Sequence, residues 1–145
     1  MYNNILVPVD GSEKSALAAL HGAELASKTG SKLFLFHVVP SLPPYIDTAP
    51  DRLSKVQQSI MDQLIEQGNI ILSKVNDDLA AYGLNIHTDI AVGKPAEQII
   101  KKAKEINCEL VIMGSRGLGE IKGILMGSVS NKVTKHAGCP VMIVR

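Results

Sequence analysis

The chain has no tryptophan, two phenylalanines and three tyrosines, so aromatics make up only 3% of its 145 residues. A core of this composition has to be aliphatic. The scarcity also argues against single-strand nucleic-acid binders, which stack bases on aromatic platforms. Charge of one sign is lacking as well. Fifteen lysines and arginines against fourteen aspartates and glutamates leave a formal charge of +1. Residues 1–72 carry 5 basic and 7 acidic side chains, and residues 73–145 carry 10 and 7. Neither half has the basic excess of a nucleic-acid or anionic-membrane footprint, so neither partner is expected. No apolar run approaches the roughly 20 residues that span a bilayer. No basic n-region or small-residue cleavage site precedes the strand-like Ile5-Leu6-Val7-Pro8-Val9. Cysteine is scarce too. Cys108 and Cys139 lack metal or redox spacing and read as small buried hydrophobes in a reducing compartment. The expectation is a cytoplasmic protein.

What is present is ordinary globular material, with 46% hydrophobic and 20% charged residues. The length fits one domain, expected to run 1–145. Five β-type runs, at 4–10, 32–40, 85–93, 110–114 and 140–145, alternate with segments of helical period. Ile5-Leu6-Val7 and Leu110-Val111-Ile112-Met113 are continuously apolar, as strands covered on both faces are. From Ser12, the residues Ala16, Ala19, Leu20 and Ala23 form a small-residue face, closed by Thr29-Gly30. From Asp51, a stripe runs through Leu53, Val56, Ile60, Leu64, Ile71, Val75, Leu79 and Tyr82 to a stop at Gly83. Gly68 lies on that stripe and marks a bend or a close contact. Pro95 suits a first helical position, followed by an apolar face of Ala96, Ile99, Ile100, Ala103 and Ile106. Lys101, Lys102, Lys104 and Glu105 read as the solvated side of that helix. A last short helix is expected from Ser128 to Gly138. Residues 41–50, with prolines at 43, 44 and 50, read as a mobile loop. With right-handed crossovers, this order predicts an α/β doubly wound, five-stranded parallel sheet, order 3-2-1-4-5, with helices on both faces.

Such a sheet binds ligands at its carboxyl edge, where the strand order reverses. Here that crevice falls between strands 1 and 4, at Asp10 and Gly114. Five glycines stand within the 14 residues 114–127. Gly114 and Gly117 let the backbone pass close to a ligand and present its N–H groups. Gly127 leads into Ser128, which can cap a helix whose N-terminus favours an anion. The bland alternative is a flexible loop with glycines for turns, but the position and density favour a phosphate cradle. The P-loop pattern GxxxxGK[ST] is absent, and so is GxGxxG after strand 1.

Catalysis finds little support. There are no paired carboxylates, no Walker lysine and no legible nucleophile–histidine arrangement, whereas phosphoryl transfer needs a positioned base and charge stabilisation. No catalytic residue is assigned. His37, near the carboxyl end of strand 2, either touches the ligand or is a packed histidine, while His21, His87 and His136 fall away from the crevice. A phospho-accepting receiver module would need acidic residues at strand 3 and a lysine before strand 5. The chain has Ala91-Val92-Gly93 and Pro140-Val141 there.

The spacing Gly114-x2-Gly117-x9-Gly127-Ser128 matches the G-2x-G-9x-G-[S/T] motif, and the chain resembles the ATP-binding branch of the universal stress protein (UspA-like) family. The likeness covers the whole length, including residues 5–12, His37-Val38-Val39, Val92-Gly93-Lys94-Pro95 and Cys139-Pro140-Val141. It implies an adenine-nucleotide alpha-hydrolase-like fold and ATP as ligand. Mg²⁺ would then be held by phosphates and water, with Asp10 the one nearby carboxylate. It implies that Val9 and Asp10 line the adenosine side, with Asp10 accepting from a ribose hydroxyl, and that Pro8 and Ser12 also belong to the ATP site. Val38 would meet adenine through its backbone, and Met113 and Gly114 would border the sugar and α-phosphate. Gly117, Gly127 and Ser128 would hold phosphates, with Val129 and Ser130 continuing the helix start. Arg116 either touches a phosphate or is solvated.

The activity implied is a nucleotide-dependent stress-response regulator or switch with slow or no ATP hydrolysis. The alternative is an ATP-using enzyme, a slow ATPase or an adenylating ATP-pyrophosphatase. The latter type carries an SGGxDS-like loop after strand 1, whereas this chain has Asp10-Gly11-Ser12-Glu13-Lys14-Ser15. An unidentified protein partner is compatible with a switch. The apolar strand Val141-Met142-Ile143-Val144 at the sheet edge has only Pro140 and Arg145 to blunt it, so a homodimer paired through strand 5 is expected.

Overall fold

The computed structural model describes residues 1–42, 50–118 and 126–145, with residues 50–53 described by their backbone alone. Its elements are β1 (Asn4–Pro8), α1 (Glu13–Thr29), β2 (Lys32–Pro40), α2 (Pro50–Asp78), β3 (Ile86–Gly93), α3 (Pro95–Glu105), β4 (Leu110–Gly114), α4 (Ser128–His136) and β5 (Val141–Val144). The five strands form one sheet in the order β3-β2-β1-β4-β5, and every pair is parallel. The doubly wound architecture is as expected. β1 stops at Pro8 rather than Asp10, as the chain turns toward α1. One further bond, Val9 N–H to the Phe36 carbonyl at 2.8 Å, carries the ladder a step beyond it.

Alternate strand residues face opposite sides, which explains the continuous apolar runs. Ile5, Val7, Leu33, Leu35 and Ile112 pack under α1 and α2. Leu6, Phe36, Val111 and Met113 pack under α3 and α4. No described helix is long and apolar enough to cross a membrane.

Three helical expectations need correction. The buried face of α1 is Ser15, Ala18, Ala19, Gly22, Ala23 and Ala26, whereas Leu20 is exposed. The smallest side chains win because the helix lies so close to the sheet: a Cβ on Gly22 would sit 2.9 Å from Val7 Cγ2. On α2 the stripe is buried only over its second half, at Leu72, Val75 and Leu79. Val56 and Ile60 remain 50% and 41% exposed. The last turn of that stripe is not α-helical but a short 3-10 turn, Ala80–Tyr82, closed by Gly83 at φ 61°. Lys102 is not on a solvated face. Its ammonium lies 2.5 Å from Asp89 Oδ2 with the side chain 16% exposed, and 5.7 Å from the centroid of the Phe36 ring. Residues 43–49 of the expected mobile loop lie outside the described residues, as do the side chains of Asp51 and Leu53.

Candidate functional site

Between the carboxyl ends of β1 and β4 opens a cleft of about 300 Å³. Of the residues assigned by sequence, Pro8, Val9, Asp10, Ser12 and Val38 line it from the β1–β2 side. Met113, Gly114, Arg116, Gly117, Val129 and Ser130 line it from the β4–α4 side. Gly127 and Ser128 do not. Its walls also include Ser15, Phe36, Pro40, Pro95, Ile99 and Leu118, which the sequence reading missed. Pro95 and Ile99 sit one turn apart on α3, so the helical period carried a signal for them. Nothing in the sequence showed that α3 starts beside this edge.

Asp10 is the centre of the arrangement. Its Oδ1 accepts from Ser12 N–H at 2.9 Å and its Oδ2 from Leu118 N–H at 3.1 Å. One carboxylate thereby ties the β1–α1 turn to the glycine segment after β4, 108 residues later. The helix is capped at the same place, with Ser12 Oγ accepting from Ser15 N–H at 3.2 Å. Ser15 Oγ in turn accepts from Asp10 N–H at 3.3 Å. Burial raises the Asp10 carboxyl, but the hydrogen bonds from Ser12, Leu118 and Ser15 outweigh it and hold the group below its ordinary value.

The two glycines of the segment have distinct reasons. A Cβ on Gly117 would lie 2.3 Å from Asp10 Oδ2, so glycine is what admits the carboxylate. A Cβ on Gly114 would lie 2.9 Å from Lys14 Cβ and 3.1 Å from its carbonyl carbon. That glycine lets the first turn of α1 press on the end of β4. Residues 119–125, with Gly119 and Gly123, lie outside the described residues.

The base of the segment is stapled shut. Ser115 carbonyl accepts from Gly127 N–H at 2.6 Å and from Ser130 Oγ at 2.9 Å. Two expectations change as a result. Gly127 N–H, assigned to phosphate, is committed to Ser115 in this structure. The cap of α4 is Gly127 itself, with no side-chain cap bond, and Ser128 is an exposed first residue of the helix. The first bond back into α4 is Asn131 N–H to the Gly127 carbonyl at 3.0 Å. The N–H groups of Ser128, Val129 and Ser130 therefore have no partner within the helix.

His37 lines the cleft and is also a packed histidine. It is buried, and its Nδ1 lies 2.7 Å from the Val9 carbonyl oxygen. A carbonyl only accepts, so that nitrogen carries the proton. The opposite edge of the ring abuts α2 at Gly68, where a Cβ would come within 2.5 Å of His37 Cδ2. Gly68 thus marks a close contact. Among the described residues no group of three histidine, cysteine or acidic side chains could hold a metal ion.

The model of the universal stress protein family matches residues 1–145. The chain belongs to this family. Universal stress protein YxiE of Bacillus subtilis is 32% identical over 152 residues, covering all of both chains. Among solved structures, the universal stress protein UspA of Lactobacillus plantarum superposes with a TM-score of 0.90 at 26% identity, covering 99% of this chain and 98% of that one. A universal stress protein in complex with cAMP shares 28% identity at a TM-score of 0.72, covering 99% and 97%. A family member from Arabidopsis thaliana with AMP bound shares 25% at 0.68, covering 98% and 90%. In this universal stress protein, the cleft with Asp10 and the glycine segment is the candidate site.

Proposed function

We propose that this universal stress protein binds ATP in the β1/β4 cleft and acts as a nucleotide-dependent stress-response switch, turning ATP over slowly or not at all. The observation that carries the reading is the placement of Asp10. Its carboxylate stands at the strand-order reversal, on the rim of an apolar slot, and touches the backbone of the glycine segment. Family members solved with cAMP and with AMP support an adenine nucleotide as the ligand class.

The cleft's volume of about 300 Å³ lies at the lower end for ligand pockets, about 300–1,000 Å³. It suits a base and sugar rather than a whole triphosphate. Val9, Val38 and Met113 would wall the base and sugar, and Asp10 would accept from a ribose hydroxyl. Phosphates would fall to the open N–H groups of Ser128, Val129 and Ser130, where the helix dipole favours negative charge. Each hydrogen bond to a charged group contributes roughly 1.5–3 kcal/mol. Three or four of them with partial base burial reach about −8 kcal/mol after association costs, a micromolar Kd. A Mg²⁺ would neutralise phosphate charge and would be held by phosphates and water, with Asp10 the one carboxylate among the described lining residues.

The test is calorimetric titration with ATP, ADP, AMP and cAMP, paired with mass spectrometry of nucleotide released on denaturation. Micromolar binding of ATP is expected, with phosphate release far below the roughly 1–10³ s⁻¹ of typical enzymes. No heat with any adenine nucleotide at millimolar concentration, and none released, would remove the proposal.

A further inference from the structure

The two cysteines lack sequence spacing, yet the fold brings them together. Val111 pairs with Val141 in the β4–β5 ladder, and Val111 N–H donates to the Pro140 carbonyl at 3.0 Å. Cys108 and Cys139 precede these strands at the amino edge of the sheet. Both pack against the same apolar cluster under α3 and α4. Both are free and half-buried, and Cys139 is near enough to Cys108 to bear on its ionisation.

We propose that Cys108 and Cys139 form a paired-thiol modification site, which a hydroperoxide closes to an intramolecular disulfide. The sulfur of Cys139 attacks the peroxide O–O bond, giving a sulfenic acid and releasing the alcohol, or water from hydrogen peroxide. The sulfur of Cys108 then displaces that hydroxyl as water, and the S–S bond forms. Two thiols are oxidised and one peroxide is reduced, so the electrons balance.

Cys108 takes the second role, where its place beside Cys139 makes the attack intramolecular. Its S–H lies 3.1 Å from the Leu110 carbonyl, and burial, aided by the neighbouring Cys139, pushes its thiol up to about 12. The thiolate is the nucleophile, so Cys108 is a poor first attacker. The cross-link closes a loop from 108 to 139 that contains β4, the glycine segment and α4. It lies at the edge of the sheet opposite the cleft, and it is independent of which nucleotide the cleft holds. A reversible bond of this kind fits a reducing compartment, where disulfides are transient and sensing.

The experiment exposes the full-length wild type to hydrogen peroxide, blocks remaining thiols with N-ethylmaleimide, and measures intact mass and a non-reducing peptide map. We expect both alkylation sites to be lost together, and one peptide pair joined through Cys108 and Cys139 within a monomer. Dithiothreitol should restore both sites, and the oxidised form should melt at higher temperature. In Cys139→Ser, Cys108 should remain alkylatable after the same exposure. The proposal is overturned if both thiols survive peroxide in the wild type, if either proceeds alone to sulfinic acid, or if the link joins two chains. Equal peroxide sensitivity of Cys108 in Cys139→Ser also overturns it.

Discussion

Replacing Gly117 by alanine tests whether the glycine segment is shaped by Asp10. The new Cβ would stand 2.3 Å from Asp10 Oδ2, whereas real contacts of this kind stay above 3.0 Å. One of the two has to retreat by about 0.7 Å or more. The Leu118 N–H lies 3.1 Å from the same oxygen, and a retreat of that size takes the bond out of range. A hydrogen bond to a charged group contributes roughly 1.5–3 kcal/mol. The site is half-solvated, so the loss should fall at the lower end, about 1–2 kcal/mol. For a chain of this size that is a fall in Tm of roughly 2–8 °C. If ATP reads the same geometry, Kd should rise tenfold or more. Differential scanning calorimetry and ATP titration measure both quantities. Asp10→Ala makes the test specific: in the double variant the clash has no partner, so Gly117→Ala should add little to Asp10→Ala. Gly30→Ala is the control. It sits at φ +73° with nothing within 4 Å of a Cβ, and should cost about 1 kcal/mol in stability without touching nucleotide affinity. Unchanged Tm and Kd in Gly117→Ala, or full additivity with Asp10→Ala, would refute the reasoning.

Gly68→Ala places a Cβ 2.5 Å from His37 Cδ2 and 2.6 Å from Ile90 Cδ1, and the ring cannot slide while Nδ1 holds the Val9 carbonyl. Overpacking of about 1–3 kcal/mol should exceed the roughly 1 kcal/mol gain in helix propensity, so urea denaturation should show a net loss. Because the Asp10 pKa is lowered on folding from 3.8, its stabilising contribution is present above that value and lost as pH falls through the folded one. Urea midpoints of the wild type and Asp10→Asn should therefore differ at neutral pH and converge below about pH 4. β5 is an edge strand, and for the dimer expected from the sequence Met142→Lys, at a side chain 40% exposed, puts a charge at the seam. Sedimentation should shift from dimer to monomer with unchanged helical circular dichroism, and a wild type that is monomeric at tens of micromolar sinks the seam.

Period and punctuation in the chain determined the element order, and right-handed crossover determined that β1 and β4 would meet at the reversal. These are local and chiral constraints, which a single sequence carries. Hence the cleft, Asp10 and the 114–117 glycines were legible in the sequence. What only the tertiary structure decided depends on distance between segments remote in sequence. The helical stripe on α1 counted Leu20 as core, but the close approach of Gly22 to Val7 turned the small side chains inward instead. The stripe on α2 had no way to show that Val56 and Ile60 in its first half would stay exposed. Gly117 read as room for a ligand, and the fold fills that room with Asp10 itself. Gly127 read as a phosphate donor, and its N–H closes the segment onto Ser115. Cys108 and Cys139 read as two separate hydrophobes because 30 intervening residues hide a pairing that exists only where two parallel strands start side by side. Sequence periodicity reports which face of an element is apolar; which partner meets that face, and how closely, is settled by packing.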